Sequence, residues 1–470
     1  MNKHPAEKIT ENHAKRRARF LYIANTFFAL LVLAGALFFF YVRSFKIIKE
    51  PAALTTEEQN TLEAALDSAF HERLKHIHPL PYSVIPAKIP VSAKNAILVD
   101  AATGSVLFEK NADEKVPPAS MTKLVVMYIV FKEIERGRIS LSDVVPLPPE
   151  SWARNLPPDA SRMFLDQGQT VTLEDLMTGL AVSSGNDAAV AVASYISGGV
   201  KAFTDRMNEE VLELGLLNTH FEEPSGYSEK NITTAREFAS FSRVYIERFP
   251  ESLEKFHSKK EFVFPLEKNL PSWQTANAEK LAVAQYNTNK LLWYLDGCDG
   301  LKTGFIYESG YNLALTAKRG QTRFLSVTMN GAGNGSAEGN GNRIKDGTAL
   351  MEWAFSSFAD YFSSSPHLYT VAVPGGKSKF VNLIPAIDGS ALTVPFITGS
   401  SPQEAAAKVT VSAELPPYIL FQTRAGEIHG KLVYSLEGKD LQTIPLVCDR
   451  TVKKAFFPFD IFGKFASLFL

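Results

Sequence analysis

Cysteine is almost missing from this chain: Cys298 and Cys448 are the two in 470 residues. So low a count excludes a disulfide-stapled fold. Two buried free thiols are the reading, with a Cys298–Cys448 bridge the minor alternative because the two fall in what read as different domains. An excess of one charge is missing too. With 49 basic against 50 acidic residues, the chain gives no electrostatic reason to bind nucleic acid. Uncharged apolar runs are also scarce, and the one long enough to cross a bilayer as a helix is Phe20 to Val42.

That run is preceded by Lys15, Arg16, Arg17 and Arg19, which hold the first residues in the cytoplasm. The expectation is a basic tail over 1–19, a single-pass anchor over 20–42, and everything after Arg43 on the outer side of the cell membrane, the inner one in a Gram-negative cell. A cleaved signal peptide competes, because Ala34-Gly35-Ala36 has the small-x-small form. Leu37 to Val42 argue against it by continuing the apolar run past that point. Either outcome exports the protein.

The length implies two or three folded units plus accessory segments. Residues 43–92 read as a stalk. Thr55 or Thr56 with Glu57 and Glu58 predicts a helix start, followed by Leu62, Leu66, Phe70 and Leu74 at helical spacing. Pro79, Pro81, Pro86 and Pro90 predict an extended connector, with His76 and His78 as solvated linker residues rather than metal ligands.

A catalytic unit is expected over 93–362. It opens with a hairpin, Ala96 to Val99 and Ser105 to Phe108. From Ser120 the pattern Leu124, Met127, Tyr128, Val130, Phe131 and Ile134 predicts a buried helix ending near Gly137. Further helices are predicted over Glu174 to Val182, from Ala188 onward, and from Phe203 to Gly215. Asp299 to Gly304, Tyr311 to Leu315 and Arg323 to Val327 read as strands. The five glycines from Gly331 to Gly341 predict a mobile loop. Residues 366–450 read as a small β domain, with strands at Ala407 to Val411, Ile419 to Gln422 and Lys431 to Tyr434. Residues 452–470 mix Lys453, Lys454 and Lys464 with many aromatics and suit a membrane interface; a terminal helix packed on the β domain is the alternative.

Three motifs carry chemistry: Ser120-Met121-Thr122-Lys123, Ser184-Gly185-Asn186 and Lys302-Thr303-Gly304. A serine hydroxyl is a poor nucleophile at neutral pH and needs a base beside it, a proton relay and a cation for an anionic substrate. The motifs supply those parts. Ser120 at a helix N-terminus aims backbone N–H groups at a developing oxyanion, with Lys123 one turn on. Ser184 and Asn186 fall in a tight helix-to-helix turn, and Lys302 on a strand beside the cleft.

These motifs, with Pro118-Ala119 before Ser120, Asp187-Ala188 after Asn186, Asp299-Gly300 and Gly310-Tyr311-Asn312-Leu313, resemble the low-molecular-mass penicillin-binding proteins that act as serine-type D-alanyl-D-alanine carboxypeptidases. The likeness spans roughly Lys94 to Leu470. It implies an α+β fold: a β-lactamase/transpeptidase-like catalytic domain followed by a small all-β domain, here behind an N-terminal transmembrane helix. It implies peptidoglycan stem peptides and β-lactams as the molecules bound, membrane lipid as a partner, and no metal or cofactor.

By that resemblance Ser120 is the nucleophile. Lys123 is the general base, its pKa lowered by burial and by Lys302. Ser184 relays a proton to the leaving amine, Asn186 holds the peptide amide, Lys302 and Thr303 meet the terminal carboxylate, and Arg343 is the carboxylate-binding arginine. The N–H groups of Ser120 and Phe305, the latter next to Gly304, form the oxyanion hole.

Two departures stand out. Phe305-Ile306 replaces the family's aromatic or His followed by Thr, and Glu222-Glu223-Pro224-Ser225-Gly226 replaces Asn-Pro-His-Gly. A glutamate there is similar to the deacylating base of class A β-lactamases, so a β-lactamase is one alternative. A non-catalytic cell-wall scaffold and a cross-link endopeptidase are the others.

Overall fold

The computed structural model describes residues 5–74, 76–84, 88–362, 367–386, 391–395 and 401–470. Pro86 of the expected connector, and the 363–366 junction at which the β domain was expected to begin, lie outside them. Helix α1 (Pro5–Lys46) holds the long apolar run, and the sides of Phe20 to Leu33 are exposed. Helix α2 (Thr56–Leu74) starts where Thr55 and Glu58 exchange hydrogen bonds, 2.9 Å from the Thr55 N–H to Glu58.

The segment after α1 is tied to the rest of the chain at several points. Arg450 Nη1 donates to the Ala52 carbonyl at 2.7 Å, Arg243 Nη1 to that of His76 at 3.3 Å, and Tyr82 Oη to that of Thr393 at 2.5 Å. His78–Pro79 adds in parallel to the edge of the main sheet.

That sheet consists of β1 (Asn95–Asp100), β2 (Ser105–Lys110), β3 (Cys298–Ile306), β4 (Gly310–Arg319) and β5 (Thr322–Gly331). From the His78–Pro79 edge inward the order is β2, β1, β5, β4, β3, antiparallel throughout. All six β1 side chains are buried, as a central strand covered on both faces requires. One face packs on the helical region: α3 (Lys123–Glu135), α4 (Leu173–Ala181), α5 (Asn186–Ser197), α6 (Val200–Glu213) and α7 (Ala235–Arg248). The other packs on α8 (Ser336–Ser357) through Leu350, Met351 and Ala354.

Helix α8 corrects the expected mobile loop, because it includes Gly339 and Gly341 and puts Arg343 inside a helix. Two glycines of this helix, Gly339 and Gly347, serve close packing. A Cβ at Gly339 would lie 2.2 Å from the Tyr311 ring, and one at Gly347 2.6 Å from Leu291. Glycine weakens a helix interior by about 1 kcal/mol relative to alanine, and contact with β4 stabilises this one.

The C-terminal unit is a five-stranded antiparallel sheet ordered Tyr369–Ala372, Phe380–Pro385, Lys439–Cys448, Ile428–Leu436, Thr410–Glu414. Phe358–Phe362 pairs with Ala391–Pro395 beside it. The strand expected at Ile419 to Gln422 is absent, and Pro402–Ala406 is a short helix capped by Ser401. Cys298 and Cys448 are free thiols, both pushed up to about 12 by burial.

Helix α9 (Phe459–Ala466) seats Gly463 against Gly375 of the C-terminal unit, where a Cβ would meet backbone at 2.1 Å. Its other side meets α1: the Phe38 ring lies 6.4 Å from Phe462 and 6.1 Å from Phe469. Phe456, Phe457, Phe459 and Phe465 stay exposed.

Candidate active site

Ser120 lies in a 3-10 turn, Ala119–Thr122, that runs directly into α3. Two glycines set its place. A Cβ at Gly226 would fall 1.9 Å from the Ala119 carbonyl oxygen, and one at Gly304 2.4 Å from that of Pro118. Side chains at either position would push the Ser120 turn away from its neighbours. Ala119 itself takes a positive φ of 51°.

Lys123, fully buried one turn on, donates from Nζ to Ser120 Oγ at 2.9 Å, to Asn186 Oδ1 at 2.7 Å and to the Ser225 carbonyl. Burial brings this ammonium down to about 7, against the opposing pull of the Glu223 and Asp187 carboxylates. Burial is the largest lowering influence. Counting valences locates the lone pair of the neutral amine. Two of the three partners are carbonyl oxygens that can only accept, so both N–H bonds of a neutral Lys123 point at them and the lone pair faces the Ser120 hydroxyl.

Ser184 occupies the turn between α4 and α5 at a φ of 59°. Its Oγ is buried without a hydrogen-bond partner. Asp187, given no role from sequence, organises this turn: its carboxylate accepts from the N–H groups of Met163, Phe164 and Leu165 between 2.9 and 3.1 Å. The loop from Asp159 to Leu165 is thereby pinned to the second motif, and the Asn186 N–H reaches the Ser161 carbonyl at 2.8 Å.

Lys302 is 1% exposed on β3, and its Nζ donates to the Thr303 carbonyl at 3.0 Å. Burial, then the charges of Lys123 and Arg343, hold its pKa well below the ordinary lysine value. Thr303 Oγ1 pairs with Thr288 Oγ1 at 2.6 Å, a partner that sequence reading missed because it comes from a separate loop. Arg343 is buried beneath β3. It donates to the Gly304 carbonyl and, at 2.8 Å, to Asn340 Oδ1, and it stacks on Tyr311 with 4.9 Å to the ring centroid. Its Nε has no partner, and burial lowers its pKa to about 10.

A cleft of about 800 Å³ joins these groups, lined by Ser120, Ser184, Thr303, Gly304, Phe305 and Arg343 among others. Lys123, Asn186 and Lys302 stand behind that lining. Two buried lysines, a buried arginine and an unpartnered buried hydroxyl suit an anionic ligand that brings hydrogen-bonding groups.

Glu223 is not aimed at Ser120. Its carboxylate accepts from the N–H groups of Ser225 at 2.6 Å, Tyr227 at 2.8 Å and Ser228 at 3.2 Å, closing its own loop. A group so occupied holds loop shape, and the sequence likeness to a deacylating base has no geometric counterpart.

Residues 83–333 match the D-alanyl-D-alanine carboxypeptidase family, and residues 361–454 match the C-terminal domain of penicillin-binding protein 5. This chain belongs to that carboxypeptidase family. It is a serine-type, penicillin-binding hydrolase of the cell wall. The D-alanyl-D-alanine carboxypeptidase DacA of Haemophilus influenzae is 32% identical over 391 residues, covering 82% of this chain and 90% of its own length. DacC of Escherichia coli, of the same description, is 32% identical over 373 residues, covering 78% and 86%. The crystal structure of penicillin-binding protein 5 from Haemophilus influenzae superposes with a TM-score of 0.67 at 31% identity, covering 79% of this chain and 100% of that one.

Proposed function

We propose that this carboxypeptidase removes the terminal D-alanine of peptidoglycan stem peptides with Ser120 as nucleophile and neutral Lys123 as base. The Ser120 Oγ proton passes to the Lys123 lone pair as the Oγ–C bond forms on the penultimate D-alanine carbonyl. The carbonyl oxygen, now anionic, takes the N–H groups of Ser120 and Phe305. The C–N bond then breaks, and the leaving amine takes its proton through Ser184, whose buried Oγ is free to make that contact. Water releases the acyl-enzyme. Asn186 holds the peptide amide, while Lys302, Thr303 and Arg343 receive the terminal carboxylate. A β-lactam acylates Ser120 by the same steps, but its ring nitrogen stays attached.

The observation that carries this reading is the 2.9 Å approach of Lys123 Nζ to Ser120 Oγ, with the remaining amine partners both pure acceptors. The test pairs fluorescent penicillin labelling, located by peptide mass mapping, with D-alanine release from a diacetylated Lys-D-Ala-D-Ala peptide. Label on Ser120, with both activities abolished in a folded Ser120→Ala, is the expected result. D-Alanine release retained by that variant would overturn the assignment.

The helix from the N-terminus is long and apolar enough to anchor the protein in a membrane. Its basic flank supports placing the catalytic unit on the outer face of the cell membrane. The exposed rings of Phe456, Phe457 and Phe465, with Lys454 and Lys464 nearby in sequence, support a second contact with lipid through α9. Deleting 452–470 leaves the protein in the membrane fraction through 20–42; release into the soluble fraction would show that the first segment does not hold it.

A further inference from the structure

The cleft has a polarity that the three motifs do not explain. Lys302 and Thr303 precede Gly304 on β3, Gly304 packs on the Ser120 backbone, and Arg343 donates to the Gly304 carbonyl. Beyond Gly304, β3 continues to Ile306, then Tyr307 and Glu308, at about 3.3 Å per residue. Tyr227 follows Gly226, the residue packed on Ala119, and its hydroxyl donates to Asp159 Oδ1 at 2.9 Å. Asp159 sits on the loop that Asp187 pins. Asp159, which accepts from the Tyr227 hydroxyl, and Glu308 both line the cleft.

No salt bridge neutralises either carboxylate among the described residues. The lysines that also line the cleft belong to other elements: Lys94 precedes β1, and Lys290 stands over the Trp293 ring at 5.0 Å. The cleft is built for a ligand, since the Ser184 hydroxyl that lines it is 4% exposed and unpartnered.

Resting on the carboxypeptidase reading, we infer that Asp159, Tyr227 and Glu308 form the subsite for the residue preceding the D-Ala-D-Ala pair, and that it selects a side chain bearing a free ammonium group. With the terminal carboxylate held by the cations, the chain upstream of the scissile carbonyl leaves the site past this mouth. A lysine-type or diamino-acid side chain then puts its ammonium between two carboxylates and against the Tyr227 ring. The same amine acylated, as in a cross-link, loses that attraction and leaves both carboxylates unpaired. The selectivity therefore favours uncross-linked stem peptides.

The experiment compares kcat/KM for D-alanine release from Nα-acetyl-Lys-D-Ala-D-Ala, its ε-amine free, and from the Nα,Nε-diacetyl peptide. Exposed charge pairs of this kind predict a preference of about three- to tenfold for the free amine, shrinking as salt is raised. In Asp159→Asn/Glu308→Gln the preference falls to near one, with penicillin acylation of Ser120 followed in parallel to report folding and chemistry. Equal rates for the two peptides in the wild type, or an unchanged preference in the double variant, overturns the subsite. Absence of both D-alanine release and penicillin labelling in the wild type would instead overturn the carboxypeptidase reading, so the two failures are separable.

Discussion

Lys123 Nζ lies 2.9 Å from Ser120 Oγ, and the amine is fully buried. Burial brings its pKa down to about 7, and with the neutral form as the proposed base, acylation requires deprotonation of a group that titrates inside the working range. The rate constant for acylation by penicillin should therefore rise with pH through about 7 and level off above it. Lys123→Ala should lose at least about a hundredfold in that rate, the usual worth of a positioned general base. A flat profile between pH 5 and 9 in the wild type would remove Lys123 from the base role.

Glu223 reaches the site through charge alone. Its carboxylate raises the Lys123 pKa, so Glu223→Gln should move the acid limb of the acylation profile to lower pH, because the neutral amine persists further into acid. The lifetime of the penicilloyl-enzyme should stay as in the wild type. Accumulation of a long-lived acyl-enzyme in this variant would restore glutamate as a deacylating base and bring the β-lactamase reading back.

What could be read in the sequence follows the range over which each feature is determined. The Ser120–Lys123 spacing is a local, one-turn relationship, and helical periodicity around it was enough to show both side chains on one face. The glycines at 333 and 339 misled, because flexibility is glycine's local meaning while their use here is tertiary, a close approach to Tyr311. Thr288 beside Thr303, and Asp159 beside Tyr227, are pairs separated by 15 and 68 residues, and no spacing rule joins them. Asp187 was visible as a residue but not as a function, since its partners are four backbone N–H groups that have no signature in side-chain pattern.

Gly226 is predicted to be intolerant of alanine for two separable reasons. Its φ is 78°, and a Cβ would stand 1.9 Å from the Ala119 carbonyl oxygen. Gly198 shares the first feature, with a φ of 75°, but a Cβ there meets nothing within 4 Å. Gly198→Ala should cost about 1–2 kcal/mol from backbone strain alone and leave penicillin acylation intact. Gly226→Ala should cost more and also slow acylation about tenfold to a hundredfold by displacing Ser120. Thermal unfolding and acylation kinetics on the two variants test this. Equal stability losses with unchanged acylation would show that the contact does not position the nucleophile.

At the seam between the main sheet and the C-terminal unit, Asp360 has both carboxyl oxygens buried. Its neighbour Asp100 is satisfied by the N–H groups of Ala102 and Thr103 and by the Thr393 hydroxyl. Burial and then the Asp100 charge hold the Asp360 pKa well above the ordinary carboxylate range. Because the folded value exceeds the unfolded one, the native state binds the extra proton. The contribution of Asp360 to stability is then fully present below its unfolded pKa near about 3.9, and it is lost as pH rises through the folded pKa. Asp360→Asn, which keeps the shape without the charge, should raise the unfolding temperature at pH 8, by an amount corresponding to about 1–3 kcal/mol, and should give no gain near pH 4. The variant's stability should also depend less on pH between those points. Thermal unfolding of both proteins across that range is the measurement, and parallel curves would mean that Asp360 carries the same charge in the folded and unfolded chain.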